Sequence, residues 1–194
     1  SETTSNSFLL KVDGNGNTIW AKSVTGDTNT PFGYGVGDDL FVDGNDIYIS
    51  GLYSGNISFG SCSLSSPLPP GFLVKYSSLG TCLWAVTPRG ISYGVVKHPN
   101  GNLAMLRRGT FYTIREYSPL DGSLIDSTIT PLADTATASI WGYPSLAKLP
   151  DGFVFSHHIQ GTLHFGDLTI TSTGSHDNMM LIRYTAPAPP VARK

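Results

Sequence analysis

Short apolar runs alternate with short polar breaks along most of the chain. Five of the breaks carry an Asp-Gly or Asn-Gly pair: Asp13–Gly14 with Asn15–Gly16, Asp43–Gly44, Asn100–Gly101, Asp121–Gly122 and Asp151–Gly152. Such pairs between alternating apolar runs are strong hairpin signals, because both residues tolerate positive φ. No window of a dozen residues keeps the i, i+3, i+4, i+7 apolar spacing of an amphipathic helix. The pattern therefore predicts an all-β, antiparallel fold.

One apolar run occurs four times, as FLLKV, FLVKY, TIREY and LIRY, ending at Val12, Tyr76, Tyr117 and Tyr184. The spacings between these end residues are 64, 41 and 67 residues, so the unit alternates long, short, long. A second element, SGNISFGSCSLSS at 54–66, recurs as QGTLHFGDLTITS at 160–172. The short unit lacks this second element, which explains the alternation.

Each unit contains two predicted hairpins, and two hairpins at this period are typical of a four-stranded propeller blade. We predict a half blade at 7–24, blades at 31–88, 89–130 and 141–185, and a Pro/Ala-rich linker or tail at 186–194. These add up to about three and a half blades, fewer than a closed ring needs. We therefore expect a partial propeller: a slice of a larger one, a processed fragment, or one part of an assembly. A compact ring that pairs the two ends is the alternative.

Two stretches carry a resemblance to a known family: SFLLKVDGNGNTIWA at Ser7–Ala21, and the longer segment from Tyr34 to Ala85 that contains DGNDIYISGLYSGNISFG and GFLVKYSSLGTCLWA. They resemble the bacterial β-propeller repeat of the SBBP type. The third unit departs from the pattern, with Ile125 at the tryptophan position and Glu116 at a position that is basic elsewhere. The resemblance implies a propeller and a bacterial secreted or surface protein. It implies no catalytic residues, since the motif residues are structural.

Composition narrows the class of partner. Charged residues make up only 13% of the chain, the formal net charge is −2, and basic residues do not cluster. We therefore do not expect a nucleic-acid binder, which would carry a basic face. No apolar run reaches the length that spans a membrane. The few charges and many Ser, Thr and Asn residues favour an extracellular or cell-surface location.

Two cysteines, Cys62 and Cys82, are too few for a structural zinc site. Pairing them would close a loop of about 20 residues and stabilise the fold by roughly 3 kcal/mol in the chain-entropy model. The alternative is two separate, half-buried thiols in strands. The sequence leaves both interpretations open.

The sequence offers weak candidates for chemistry. The loop that begins at Asp13 starts like a calcium loop, but Thr18 and Val24 stand where glycine and glutamate are required, so we expect a hairpin turn. Asp38 and Asp39 are adjacent, and in a regular strand they would point to opposite faces, so we expect solvated loop or rim residues rather than one shared site.

Four of the five histidines fall in the last unit: His157, His158, His164 and His176. Neighbouring histidines of a strand face opposite ways, and we therefore expect strand-edge residues rather than a metal site. No Gly-x-Ser-x-Gly elbow and no phosphate-cradling loop is present. We expect no catalytic residues, no cofactor and no metal, and hence no enzyme.

The aromatic residues fall into two groups. Trp20 and Trp84 recur at one position of the unit, which favours packing between sheets over sugar platforms. The second group lies in or before predicted inner strands, at one mouth of the expected propeller: Phe32, Tyr34, Trp141 and Tyr143. If a small ligand binds, this second group is the predicted ligand-binding site.

The sequence thus predicts a non-catalytic protein-binding or scaffold module, one form of which is a subunit or fragment of a larger assembly. Its expected partner is a protein, or a missing part of the same propeller, that closes the open blades. A carbohydrate-binding, lectin-like propeller is the alternative, with a glycan as partner.

Overall fold

We analysed a computed structural model of the chain. It describes residues 7–26, 34–67, 71–88, 90, 92–108, 111–134, 138–139, 145–165, 167–172 and 178–185. Within these ranges every regular element is a β-strand, and every strand pair with an assigned register is antiparallel. The predicted all-β, antiparallel class is therefore confirmed.

The first eight strands are β1 Phe8–Val12, β2 Thr18–Ser23, β3 Thr25–Gly26, β4 Tyr34–Asp43, β5 Asp46–Ser58, β6 Ser63–Ser66, β7 Gly71–Ser77 and β8 Cys82–Val86. The next nine are β9 Ser92–Lys97, β10 Leu103–Arg108, β11 Phe111–Tyr117, β12 Leu124–Asp134, β13 Ala138–Ser139, β14 Ser145–Leu149, β15 Gly152–Phe165, β16 Leu168–Thr171 and β17 Asn178–Thr185. None of the sheets they form closes on itself. The propeller and the blade boundaries therefore stay predictions.

The chain divides into two compact units. Unit 1 comprises residues 1–95 with the turn 120–123, and unit 2 comprises residues 96–119 and 124–194. Each unit has its own apolar core.

In unit 1, a four-stranded antiparallel sheet has the order β4–β5–β7–β8. Its first turn is the predicted Asp43–Gly44 turn, where Gly44 has a φ of 62°. The second half of β5 extends beyond this sheet and pairs with β3 on one side and β6 on the other. The hairpin β1–β2 forms a separate two-stranded sheet.

The hairpin β1–β2 is built like the hairpin β7–β8. Lys11 pairs with Trp20 as Lys75 pairs with Trp84, and in both hairpins the register shifts at the next residue of the first strand. The difference lies on the other edge of the first strand. β7 also pairs with β5, whereas no described strand pairs with that edge of β1.

In unit 2, β15 repeats the arrangement seen around β5. Its first half pairs with β14 and β17, and its second half pairs with β13 and β16 and also, at His164, with Asp134 of β12. A glycine with positive φ stands between the two halves in both strands, Gly55 at 75° and Gly161 at 104°. Such a φ is available to glycine at little cost, and both strands change their pairing partners at this point. β9 pairs with β10, and the strands β10 to β12 form an antiparallel meander.

A disulfide joins Cys62, just before β6, to Cys82, the first residue of β8, with a Cα–Cα distance of 6.0 Å. It therefore ties the excursion β6 to the last strand of the sheet. Disulfides are typical of proteins in oxidising surroundings, which favours a location outside the cytoplasm.

Glu116 stands where the other units have a basic residue, and local contacts explain this difference. In unit 1, Lys75 forms an ion pair with Asp46 at 2.8 Å, and in unit 2, Arg183 forms one with Asp151 at 2.6 Å. Each pair joins the third strand of a sheet to its first turn. At the middle position Glu116 accepts hydrogen bonds at 2.7 Å from the Nδ2 atoms of Asn100 and Asn102. All three links join the same position of the third strand to the first turn. At Lys75 and Arg183 the third strand supplies the donor, whereas at Glu116 it supplies the acceptor.

Candidate functional site

The predicted ligand-binding aromatics cannot be assembled into a site. Phe32, Trp141 and Tyr143 lie outside the described residues, as do His176 and the tail 186–194. Tyr34 is the first residue of β4, and only its backbone is described. This site remains a sequence prediction.

The two repeated tryptophans lie against glycine turns. The ring of Trp20 covers Gly80, where a Cβ would approach the Trp20 ring to 3.0 Å, and the ring of Trp84 covers Gly122 in the same way at 2.8 Å. Trp20 also donates a hydrogen bond from Nε1 to the Ser78 carbonyl oxygen at 3.1 Å. Each ring therefore packs on the turn of another hairpin.

These contacts place the hairpin β1–β2 over one side of the four-stranded sheet. Lys11 Nζ donates to the Ser78 carbonyl oxygen at 3.0 Å, beside the Trp20 bond. Leu9 is buried in the core of unit 1 with Phe72 and Val74 of β7. The hairpin therefore covers the β7–β8 side and leaves part of the β4–β5 side open, with Leu40 and Val42 half exposed, at 51% and 54%.

A groove follows the unpaired edge of β1, and we call it the β1 groove. It consists of two cavities of about 350 Å³ each, which share Leu9 and Leu40. One wall is β1, and the floor is formed by Leu40 and Val42 of β4 with Ile47 and Ile49 of β5. The lining is largely apolar, and an unpaired strand edge runs along it.

The side chains of β1 are unusually exposed for this sequence pattern. Phe8 and Leu10 are 76% and 46% exposed, whereas Phe72 and Val74, at the matching positions of β7, are buried. The same residue types thus form a core in one hairpin and an open surface in the other. Exposed apolar residues grouped in this way mark binding surfaces.

Asp38 and Asp39 line the first cavity, which contradicts both parts of the expectation from sequence. They lie in β4, half buried, rather than in a solvated loop or rim. The strand has a bulge here: Gly37 pairs with Gly51 and Asp39 with Ser50, which leaves Asp38 as the extra residue. A bulge interrupts the alternation of side chains, so the argument from opposite faces does not apply.

The two carboxylates differ in their partners. Asp39 Oδ2 accepts a hydrogen bond from the Val95 amide and Oδ1 accepts one from the Leu40 amide, both at 3.0 Å. Asp38 Oδ2 is buried and has no hydrogen-bond partner among the described residues. Desolvation, with the nearby charge of Asp39, raises the pKa of Asp38 to about 6. Desolvation also raises the pKa of Asp39, opposed by its backbone hydrogen bonds.

The other candidates do not form a centre for chemistry. Asp13 accepts hydrogen bonds from the amides of Asn15 and Asn17, at 2.9 and 2.8 Å, so its carboxylate closes a hairpin turn. Within the described ranges no three His, Cys, Asp or Glu residues stand together as a metal site would require. No helix of those ranges is long and apolar enough to cross a membrane.

The Asp38 position could not be recognised from composition or spacing, because two adjacent aspartates are common in turns. The glycines around it were the available signal. A Cβ at Gly51 would collide with the Val36 carbonyl oxygen, so this pairing requires a glycine opposite the bulge. Glycine inside a strand often marks a bulge or a close backbone approach.

No protein-family model, no curated protein and no solved structure matches the chain. The comparisons therefore assign no family, and the similarity to the SBBP-type repeat remains a resemblance in the residues. The function has to be inferred from the geometry of the β1 groove.

Proposed function

We propose that the chain is a propeller-type, non-catalytic binding or scaffold module of a bacterial extracellular or cell-surface protein, and that it binds another protein by strand addition in the β1 groove. The observation that carries the proposal is the edge of β1 that no described strand covers, above an apolar floor. An extended peptide that adds to a sheet edge gains main-chain hydrogen bonds, and pockets beside the edge select its side chains.

The hairpin β7–β8 indicates how the added strand would lie. β5 occupies the edge of β7 that is free in β1, with Ile49 opposite Val74 and Ser50 opposite Leu73. Since β1 matches β7 in sequence and in register with its hairpin partner, a strand like β5 fits the edge of β1. It would place residue 49 opposite Leu10 and residue 50 opposite Leu9. It would also cover Leu40 and Val42.

Other observations support a propeller type and a scaffold role. The four neighbours of β5 have counterparts among the five of β15, and Trp20 and Trp84 each pack on the turn of another hairpin. The disulfide supports an extracellular or surface location. The position of Trp20 and Trp84 gives the carbohydrate-binding alternative no support.

The test uses a labelled peptide with the sequence of residues 46–54, DIYISGLYS, titrated with the intact chain and followed by fluorescence anisotropy. We expect saturable binding of one peptide per chain. Leu40→Ser should weaken binding about tenfold, because the floor loses apolar contact area. Leu83→Ser is the matched control, since Leu83 is 50% exposed on β8 and lies outside both cavities. Absence of binding, or equal loss in both variants, would overturn the proposal.

A further inference from the structure

We infer that the segment bound in the β1 groove carries a lysine or arginine at the position opposite Leu9, where its charged group forms an ion pair with Asp38. This inference rests on the proposed function and adds the chemistry of the partner. It starts from the one buried acceptor in the groove that the described residues leave unpaired, Asp38 Oδ2.

The first cavity is suited to a long basic side chain. Among the described residues that line it, Asp38 and Asp39 are the only charged ones, and no basic residue neutralises them there. The remaining lining is mostly apolar and includes Leu9, Leu40 and Val74. Lysine and arginine side chains combine an apolar stem with a cationic end, so the stem would contact the leucines while the end reaches the carboxylate.

Of the two carboxylates, Asp38 is the one with a buried oxygen that has no donor among the described residues. Asp39 already accepts hydrogen bonds from two backbone amides, one of them donated by Val95 of β9. A buried acceptor without a donor destabilises the state that contains it, and a cationic donor removes that penalty. A charged hydrogen bond in a partly desolvated site is also stronger than one in water.

The sheet geometry selects the position in the partner. Residues directly opposite each other in an antiparallel pair point to the same face of the sheet. Leu9 points into the core of unit 1, so the residue opposite it faces the floor and Asp38. The residue opposite Leu10 faces the other way. A basic residue at the neighbouring position should therefore gain nothing from Asp38.

The experiment compares three peptides on the intact chain: residues 46–54 as they stand, the same peptide with Ser50→Lys, and the same peptide with Ile49→Lys. The two lysine peptides have the same net charge, so they form a matched pair. At pH 7.5 we expect the Ser50→Lys peptide to bind about tenfold more tightly than the Ile49→Lys peptide. The advantage should shrink as the pH falls through about 6, where Asp38 becomes protonated.

Asp38→Asn in the protein should abolish the advantage of the Ser50→Lys peptide while the unmodified peptide still binds. If this variant does not fold, the comparison of the two lysine peptides on the wild-type chain decides the matter alone. Equal affinity of the two lysine peptides would overturn the inference and leave the proposed function intact. Failure of all three peptides to bind would instead overturn the proposed function.

Discussion

At Asp38, a single bulged residue interrupts the alternation of side chains expected along a strand. A regular strand would separate Asp38 from Asp39 by alternation, but the bulge places both residues along one cavity. The sequence shows the two carboxylates, whereas their burial depends on how β1 and β4 come together. That arrangement is tertiary, so pattern analysis places Asp38 in a solvated position, and the prediction is wrong.

The burial of Asp38 has a consequence for stability. Its pKa in the folded chain, about 6, lies above the ordinary value of 3.8. Burial therefore destabilises the fold only where the carboxylate is ionised, and the penalty grows from about pH 4 and is complete above about pH 6. We expect Asp38→Asn to raise the free energy of unfolding by about 1 kcal/mol at pH 7.5, allowing for partial solvation, and to have little effect at pH 4.

Denaturant unfolding at the two pH values measures this difference. Asp13→Asn is a control that should have the opposite effect on stability. The pKa of Asp13 is lowered by hydrogen bonds, foremost the side-chain bond from Asn17. That substitution should destabilise the chain at pH 7.5. A gain in stability from Asp38→Asn that is the same at both pH values would contradict the role assigned to its charge.

At the scale of elements, the hairpins are the best predicted part of the fold. The Asp-Gly and Asn-Gly signals encode turns locally, and strands flank each of them. The sequence also indicates the packing role of the tryptophans, because Trp20 and Trp84 recur at one position. The glycines beneath them are less apparent from sequence, since Gly80 and Gly122 also belong to ordinary turns.

Gly80 is therefore required for two reasons, its positive φ and its contact with the Trp20 ring. Substitutions can separate the two effects. Its φ is 76°, and a Cβ would lie 2.8 Å from Lys22 Cε and 3.0 Å from the Trp20 ring. Gly44 has a φ of 62° and open space around it. We expect Gly44→Ala to cost about 1 kcal/mol for the backbone alone. Gly80→Ala should cost about 1 to 2 kcal/mol more, because the indole has to move.

Thermal or denaturant unfolding of the two alanine variants measures that difference. Combining Gly80→Ala with Trp20→Ala should reduce the extra cost, since the added methyl group would then have room. Equal destabilisation by Gly80→Ala and Gly44→Ala would show that Trp20 does not press on this turn as described.

At the scale of the molecule, the repeat in the sequence predicts a propeller. Strand pairing alone does not test that arrangement. Four of the neighbours of β15 correspond to those of β5, and the hairpin β1–β2 has the register of β7–β8. Whether such units form a propeller depends on how whole sheets are arranged around an axis, which no local pattern encodes. The β1 groove belongs to the same scale, because it is formed at an edge of β1 with which no described strand pairs.

Disulfide trapping of the peptide in its expected register tests the central claim most directly. With Leu10→Cys in the chain and Ile49→Cys in the peptide of residues 46–54, we expect rapid cross-linking, because the two residues would stand opposite each other on one face. Peptides with Tyr48→Cys or Ser50→Cys should cross-link slowly, since those positions face the floor. Equal trapping at all three positions, or none at any, would contradict strand addition in the β1 groove.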